Sequence, residues 1–294
     1  VKLLDEYLAS LKMKEVEEFF DLSFYRPLAF LFVKSIYSTD LTPNQITLIS
    51  MLCGILGGVA FGVGTSAAMI AAAVLLVLYD VLDCSDGQLA RLKKNGTRIG
   101  RILDGVADYV VVIAVYIGMG VGFASGSEEP LFWWLMIAVA ALSNGAHSML
   151  VDYYRNRFLD TVLQRVSTFE EDLDAFEEER QAMRRDGGHW FERAVIGVYL
   201  WYSRFQRGLT SGKKEHAPLS AADPQEYYRR NRIIIRLWLL LGPTTQITWM
   251  VVCALWNRLD IYLFGLVIGG NLWALLLYPF QARINNRLNV AKSS

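Results

Sequence analysis

Residues 45–79 read QITLISMLCGILGGVAFGVGTSAAMIAAAVLLVLY, and no side chain among these 35 positions is charged. As helix, such a run is about 52 Å long at about 1.5 Å per residue. A bilayer core is crossed by about 20 residues. The run therefore holds one membrane span and most of a second, hinged at the small residues Gly62-Val63-Gly64-Thr65-Ser66. Span 1 is expected at 43–62, opened by Pro43 with Thr42 as N-cap, and span 2 at 67–90.

Further apolar runs follow. Span 3 takes its polar start at Arg101 and its apolar body from Tyr109 to Ser127, span 4 covers Leu131 to Val151, and two more lie at about 233–256 and 261–280. Buried helices of soluble proteins seldom run this long without a charge, and six in a chain of 294 residues is a membrane count. The first residues carry Lys2, Asp5 and Glu6, which breaks any signal-peptide core. Leu3, Leu4, Tyr7, Leu8 and Leu11 share one helical face within 1–21, and Phe24 to Ser38 is apolar but for Arg26 and Lys34. Both segments read as helices lying at the membrane surface.

The expected fold is all-α and integral to the membrane: a six-transmembrane helix bundle with N-terminal interfacial amphipathic helices and a cytoplasmic insertion between spans 4 and 5. Its parts are 1–40, the interfacial helices; 41–155, spans 1–4; 156–230, the polar insertion; and 231–294, spans 5–6 with a basic tail. The insertion is strongly acidic from Glu170 to Glu179 and loop-like from Gly208 to Pro224. A solvated charged face accounts for its acids. The aromatics Trp190, Phe191, Tyr199, Trp201, Tyr202 and Phe205 suggest a stretch that returns to the interface.

Charge sets the orientation. The turn from Arg91 to Arg101 holds five bases and no acid, the loop between spans 3 and 4 holds Glu128 and Glu129 and no base, and the tail holds Arg283, Arg287 and Lys292. The positive-inside rule places the termini and the 91–101 turn in the cytoplasm. Over the whole chain 29 bases balance 29 acids, which argues against a nucleic-acid binder. An apolar fraction of 53% argues against disorder. Cys53, Cys84 and Cys253 lie far apart and form no CxxC, so neither a disulfide framework nor a zinc finger is expected.

Against this apolar background five carboxylates stand out: Asp80, Asp83, Asp86, Asp104 and Asp108, at the end of span 2 and the start of span 3. An ionised group in mid-bilayer costs about 2.5–3.5 kcal/mol on insertion scales. Acids gathered with few local bases point to divalent cations. Asp83 and Asp86 are spaced i,i+3, and Asp104 and Asp108 i,i+4, on helices joined by a short turn. The two pairs can face each other and hold Mg²⁺ or Mn²⁺, with room for two ions. Gly87, Ala90 and Gly100 leave space for an extended ligand against the backbone, and Arg91 can meet a phosphate.

The series Asp83-x2-Asp86-Gly87-x2-Ala90-Arg91-x8-Gly100-x3-Asp104-x3-Asp108 resembles the signature of the CDP-alcohol phosphotransferases, with all eight fixed positions matched. The opening Leu41-Thr-Pro43-Asn44-Gln45 and the six spans also resemble that family. The resemblance implies transfer of a substituted phosphate from a CDP-linked donor to an alcohol, with release of CMP and one lipidic partner. It implies that Asp83, Asp86, Asp104 and Asp108 bind metal, that Asp108 is also the general base, and that Gly87, Ala90, Arg91 and Gly100 surround the CDP moiety. It further implies a homodimer. Spacing alone does not choose between Asp104 and Asp108 as the base.

Other residues stay open. Asp80, outside the motif, either tunes the site or contacts the acceptor, or is a satisfied polar residue facing a partner helix. His147 and Asn144 in span 4 are read as hydrogen-bonded interior residues sooner than as metal ligands. Arg155, Arg157, Arg232 and Arg236 either bind a phosphorylated acceptor or anchor the spans at headgroup level. The arginines favour CDP-diacylglycerol with a soluble alcohol such as inositol, inositol phosphate or glycerol phosphate. The competing enzyme reading is a CDP-choline or CDP-ethanolamine donor acting on diacylglycerol or ceramide. The competing class is a divalent-cation transporter.

Overall fold

The computed structural model describes residues 2–11, 16–163, 169–187, 193, 196–197, 200 and 224–290, and among them there is no strand. The helices are α1 (Lys2–Ser10), α2 (Arg26–Ile36), α3 (Pro43–Val63), α4 (Ser66–Lys93), α5 (Arg98–Ala124), α6 (Pro130–Val162), α7 (Phe169–Asp186), α8 (Pro224–Trp238), α9 (Pro243–Leu255), α10 (Leu259–Phe264) and α11 (Asn271–Val290). Helices α3 to α6 are each long and apolar enough to cross a membrane, as is the stretch Leu259–Asn285, in which a π turn at Gly265–Gly270 joins α10 to α11. Helices α8 and α9, bent by 43° at Gly242, are together long and apolar enough for a sixth crossing. The chain is an all-α integral membrane bundle.

The caps set the helix order. The Thr42 hydroxyl accepts from the Gln45 N–H and the Gln45 side chain accepts from the Thr42 N–H at 3.0 Å, with Pro43 in the first turn. At the far end Gly64 takes a left-handed φ of 73°, and Thr65 then caps α4, so α3 and α4 reverse over two residues. Lys94, at φ 52°, ends α4, and Thr97 caps α5. The hinge expected at 62–66 and the turn within 91–101 are these two reversals. Helix α6 continues from Val151 to Val162, beyond the apolar run.

Small residues hold the first three spans together. A Cβ on Gly118 would collide with the Gly58 carbonyl oxygen, and one on Gly54 would strike the Val111 side chain. Close backbone approach across small residues is how membrane helices gain packing contacts where lipid is as apolar as leucine. A core of Phe61, Leu76, Tyr79, Val111, Val115 and Met119 fills the bundle between these helices and the α9–α10 hairpin. A second core, with Tyr154 stacked on Trp238 at 4.6 Å, joins α6 to α8.

The N-terminal segment packs on α4. Helix α2 buries Ala29 and Val33 and leaves Leu31 exposed, while Gln88 of α4 donates to the Arg26 carbonyl at 3.1 Å. The helix expected over 1–21 ends at Ser10, and residues 12–15 lie outside the described ones. The acidic stretch of the insertion is helical in α7, whose Phe176 packs with Ile102 of α5. The aromatic stretch expected to return to the interface lies outside the described residues, as does the expected loop from Gly208 to Asp223. Pro224 opens α8.

Candidate active site

The reversal at Lys94–Thr97 turns the chain from α4 into α5, and both helices pack on α3. Asp83 is ten residues from the end of α4, about 15 Å below the turn along the helix axis. There the structure brings Asp83, Asp104 and Asp108 together, with a carboxylate oxygen from each within 4.8 Å of the others. All three are half-buried. Three hard oxygen donors at this separation suit a divalent cation with water or substrate completing its shell.

Asp86 is not part of that trio. It is buried, and its Oδ2 accepts a hydrogen bond from the Thr47 hydroxyl of α3. It remains within electrostatic reach of Asp83, Asp104 and Asp108. Asp108 accepts from the Tyr79 hydroxyl at 2.7 Å, which fixes one of its oxygens. Thr47 and Tyr79 were not singled out from the sequence. Tyr79 does stand four residues before Asp83, on the same helical face, and that spacing was the available signal.

The small residues and the arginine divide in role. The Arg91 guanidinium lies across Gly87, 3.3 Å from where a Cβ would be, and its Nε donates to the Ser10 carbonyl at 2.5 Å. Gly87 therefore leaves room for that side chain as well as for a ligand. A Cβ on Gly100 would stand 2.8 Å from the Asn44 Oδ1, so Gly100 lets the start of α3 close on the start of α5. Ala90 faces Gly96 of the turn. Lys93 reaches over the end of α4 and donates to the Thr39 carbonyl at 2.9 Å.

Asp80 turns to a neighbouring face of α4, where it meets Asp21 and Cys84. His147 lies beside the π turn: its Nε2 is 3.0 Å from the Asn271 Oδ1, and Asn144 donates to the Gln246 Oε1. Both are interior hydrogen-bonded residues. Arg155 pairs with Asp152 at 3.1 Å, and Arg157 donates to the Tyr153 hydroxyl at 2.9 Å. Arg232 lines a cleft of about 530 Å³ with Arg229, Gln225 and Tyr228, and Arg236 is exposed.

A sequence profile of the CDP-alcohol phosphatidyltransferase family matches residues 40–168. A phosphatidylinositol phosphate synthase of Corynebacterium glutamicum is 32% identical over 115 residues, 39% of this chain and 44% of that protein. The bifunctional IPC transferase and DIPP synthase of Thermococcus kodakarensis is 29% identical over 126 residues, 43% of this chain and 26% of its own length. A phosphatidylinositol phosphate synthase of Mycolicibacterium smegmatis is 29% identical over 133 residues, 45% of this chain and 54% of its own. The alignments thus span about half or less of the relatives they match. The profile begins just before the Thr42 cap and runs past the end of α6, enclosing the convergent aspartates. Over those residues the chain is similar to the CDP-alcohol phosphatidyltransferase family.

Proposed function

We propose that the protein transfers a phosphatidyl group from CDP-diacylglycerol to the hydroxyl of a polar alcohol of the inositol phosphate type, releasing CMP. The observation that carries this reading is the convergence of Asp83, Asp104 and Asp108 inside the segment that matches the family. The names of two relatives, phosphatidylinositol phosphate synthases, support the choice of acceptor. Arg229 and Arg232 in the cleft supply positive charge suited to a phosphorylated alcohol.

The donor set fits Mg²⁺ or Mn²⁺. Asp83, Asp104 and Asp108 would hold the ions, two in this reading, with Asp86 joining from one turn further along α4. Bound there, the ions would neutralise charge on the diphosphate. The chain's own residues do the rest. Asp108, held through one oxygen by Tyr79, takes the proton of the acceptor hydroxyl. The acceptor oxygen bonds to the lipid-bearing phosphorus, the bond from that phosphorus to the bridging oxygen breaks, and CMP leaves with the electron pair. Gly87, Ala90, Arg91 and Gly100 border the CDP moiety in this reading. The site, the 91–101 turn and both termini face the cytoplasm, with 1–40 at the surface and 156–230 a cytoplasmic insertion. The family resemblance adds a second copy of the chain as partner.

The test is CMP release by purified protein in detergent with CDP-diacylglycerol, a panel of inositol, inositol phosphate and glycerol phosphate, and Mg²⁺ or Mn²⁺. Turnover should require the metal. Asp83→Asn, Asp104→Asn and Asp108→Asn should each lower it by about 100-fold or more while the thermal midpoint holds. Near-parent rates in these variants would overturn the site. Turnover only with CDP-choline and diacylglycerol would overturn the donor, and ion flux without CMP release would make the chain a transporter.

A further inference from the structure

The N-terminal segment carries a second acidic cluster that the phosphotransfer reading does not use. Glu17, Glu18 and Asp21 reach in from residues 16–21, Asp80 and Cys84 from one face of α4, and all are buried, with Arg26 as the cation beside them. Arg26 is engaged by Glu17 at 2.8 Å and lies 4.0 Å from Asp21. Glu18 accepts from the Thr245 N–H and hydroxyl, each at 2.7 Å, at the start of α9. Burial, with Asp21 beside it, pushes the Glu18 carboxyl up to about 7.

Asp21, Asp80 and Cys84 each place a ligand atom within 4.8 Å of the other two. The Cys84 thiol is 3.6 Å from the Asp21 Oδ1, which the Thr244 hydroxyl also approaches at 3.4 Å. Asp80 is 4% exposed, and its Oδ2 has no hydrogen-bond partner among the described residues. A buried carboxylate oxygen without a partner is costly. Four buried carboxyls (Glu17, Glu18, Asp21 and Asp80) crowd this seam, with the guanidiniums of Arg26 and Arg91 within electrostatic reach of it.

We propose that Asp21, Asp80 and Cys84 form a second divalent-cation site, of mixed oxygen and sulfur ligation, that ties the N-terminal segment to α4. The sulfur sets its chemistry apart from the all-oxygen phosphotransfer cluster. A thiolate with two carboxylates suits Zn²⁺, and four-coordination leaves one position for water or a further oxygen. The thiol proton passes to solvent as the cation is bound. The site spans segments 59 residues apart in sequence, Asp21 to Asp80, and ligation there would stabilise the fold around the base of α4.

The test loads chelator-treated full-length protein in detergent with Co²⁺ and records the near-ultraviolet cobalt–thiolate charge-transfer band. The band should appear. It should vanish in Cys84→Ser and survive in Cys53→Ser, Cys253→Ser and Asp104→Asn. A band retained in Cys84→Ser, or absent from the parent, overturns the proposal. Alkylation of Cys84 in the unmutated chain, mapped by peptide mass, gives a readout free of folding effects. Zn²⁺ at about 100 times its Kd should slow it about 100-fold. Equal alkylation with and without Zn²⁺ overturns the proposal. Both readouts are independent of turnover, so the phosphotransfer reading stands or falls separately.

Discussion

Tyr79 holds one oxygen of Asp108 and Thr47 holds one of Asp86, so two aspartates of the motif have their orientation set by neutral hydroxyls on apolar helix faces. The aspartates themselves were legible, because charge is rare in a span and i,i+3 or i,i+4 spacing puts pairs on one face. Their partners were not. Thr47 is 39 residues from Asp86 and Tyr79 is 29 from Asp108, and a hydroxyl in an apolar run carries no signal until the helices are packed. Asp80 was legible as extra to the motif, but its alliance with Asp21 requires the N-terminal segment to fold back on α4. In the proposed mechanism Tyr79 acts through Asp108, as a positioning residue. Tyr79→Phe removes one hydrogen bond to a charged group while keeping the ring that fills the core, a loss of about 1.5–3 kcal/mol where the bond is felt. If that bond orients the base, kcat should fall about tenfold or more, with KM for donor and acceptor and the thermal midpoint within about twofold and a few degrees of the parent. A parent-like kcat would remove Tyr79 from the site's description; a fall in stability with no kcat effect would make it a packing residue alone.

At the scale of helices, α3 and α5 meet where Gly58 and Gly118 abut backbone to backbone. Hydropathy located both helices, and the reversal at Gly64 was visible as a cluster of small residues. The crossing itself was hidden, since glycines are common in membrane spans for several reasons and only the facing pair identifies the contact. The bend between α8 and α9 was hidden likewise. The run at 233–256 read as one span, yet Gly242-Pro243 breaks it, because proline cannot continue the helix it would enter and the preceding residue is driven to extended backbone. The crossing can be tested by one methyl group. Gly118→Ala should lower the thermal midpoint in detergent, a cost of about 1–3 kcal/mol for an overpacked contact that must open. Gly145→Ala is the comparison: no atom lies within 4 Å of a Cβ there, and the helix gains up to about 1 kcal/mol from the better helix former. Equal midpoints for Gly118→Ala and Gly145→Ala would show that the crossing is not close-packed.

Over the whole molecule, one end of the bundle gathers the charged turns and the candidate site. The Thr42 cap, the Lys94–Thr97 turn and Lys93 bonded to the Thr39 carbonyl lie together there, and the convergent aspartates lie just below. The opposite end carries the Gly64 reversal and the loop with Glu128 and Glu129, before α6 starts at Pro130. The insertion adds a helix whose Phe176 packs on Ile102 of α5. Ile102 is two residues from Asp104, on the other side of that helix, so Phe176 of α7 meets α5 on the face away from Asp104. This arrangement makes topology a test of the fold and the orientation together. Helix α5 joins the two ends in a single crossing. In a chain with its native cysteines replaced by serine, Asn95→Cys and Glu128→Cys should react with a membrane-impermeant maleimide from opposite sides. Asn95→Cys should label in inverted bacterial vesicles and Glu128→Cys in right-side-out ones. Labelling of both from one side would contradict α5 as a crossing. Labelling with the sides exchanged would leave the bundle intact and place the proposed phosphotransfer site on the outer face, away from the cytoplasmic nucleotide pool that a CDP-linked donor requires.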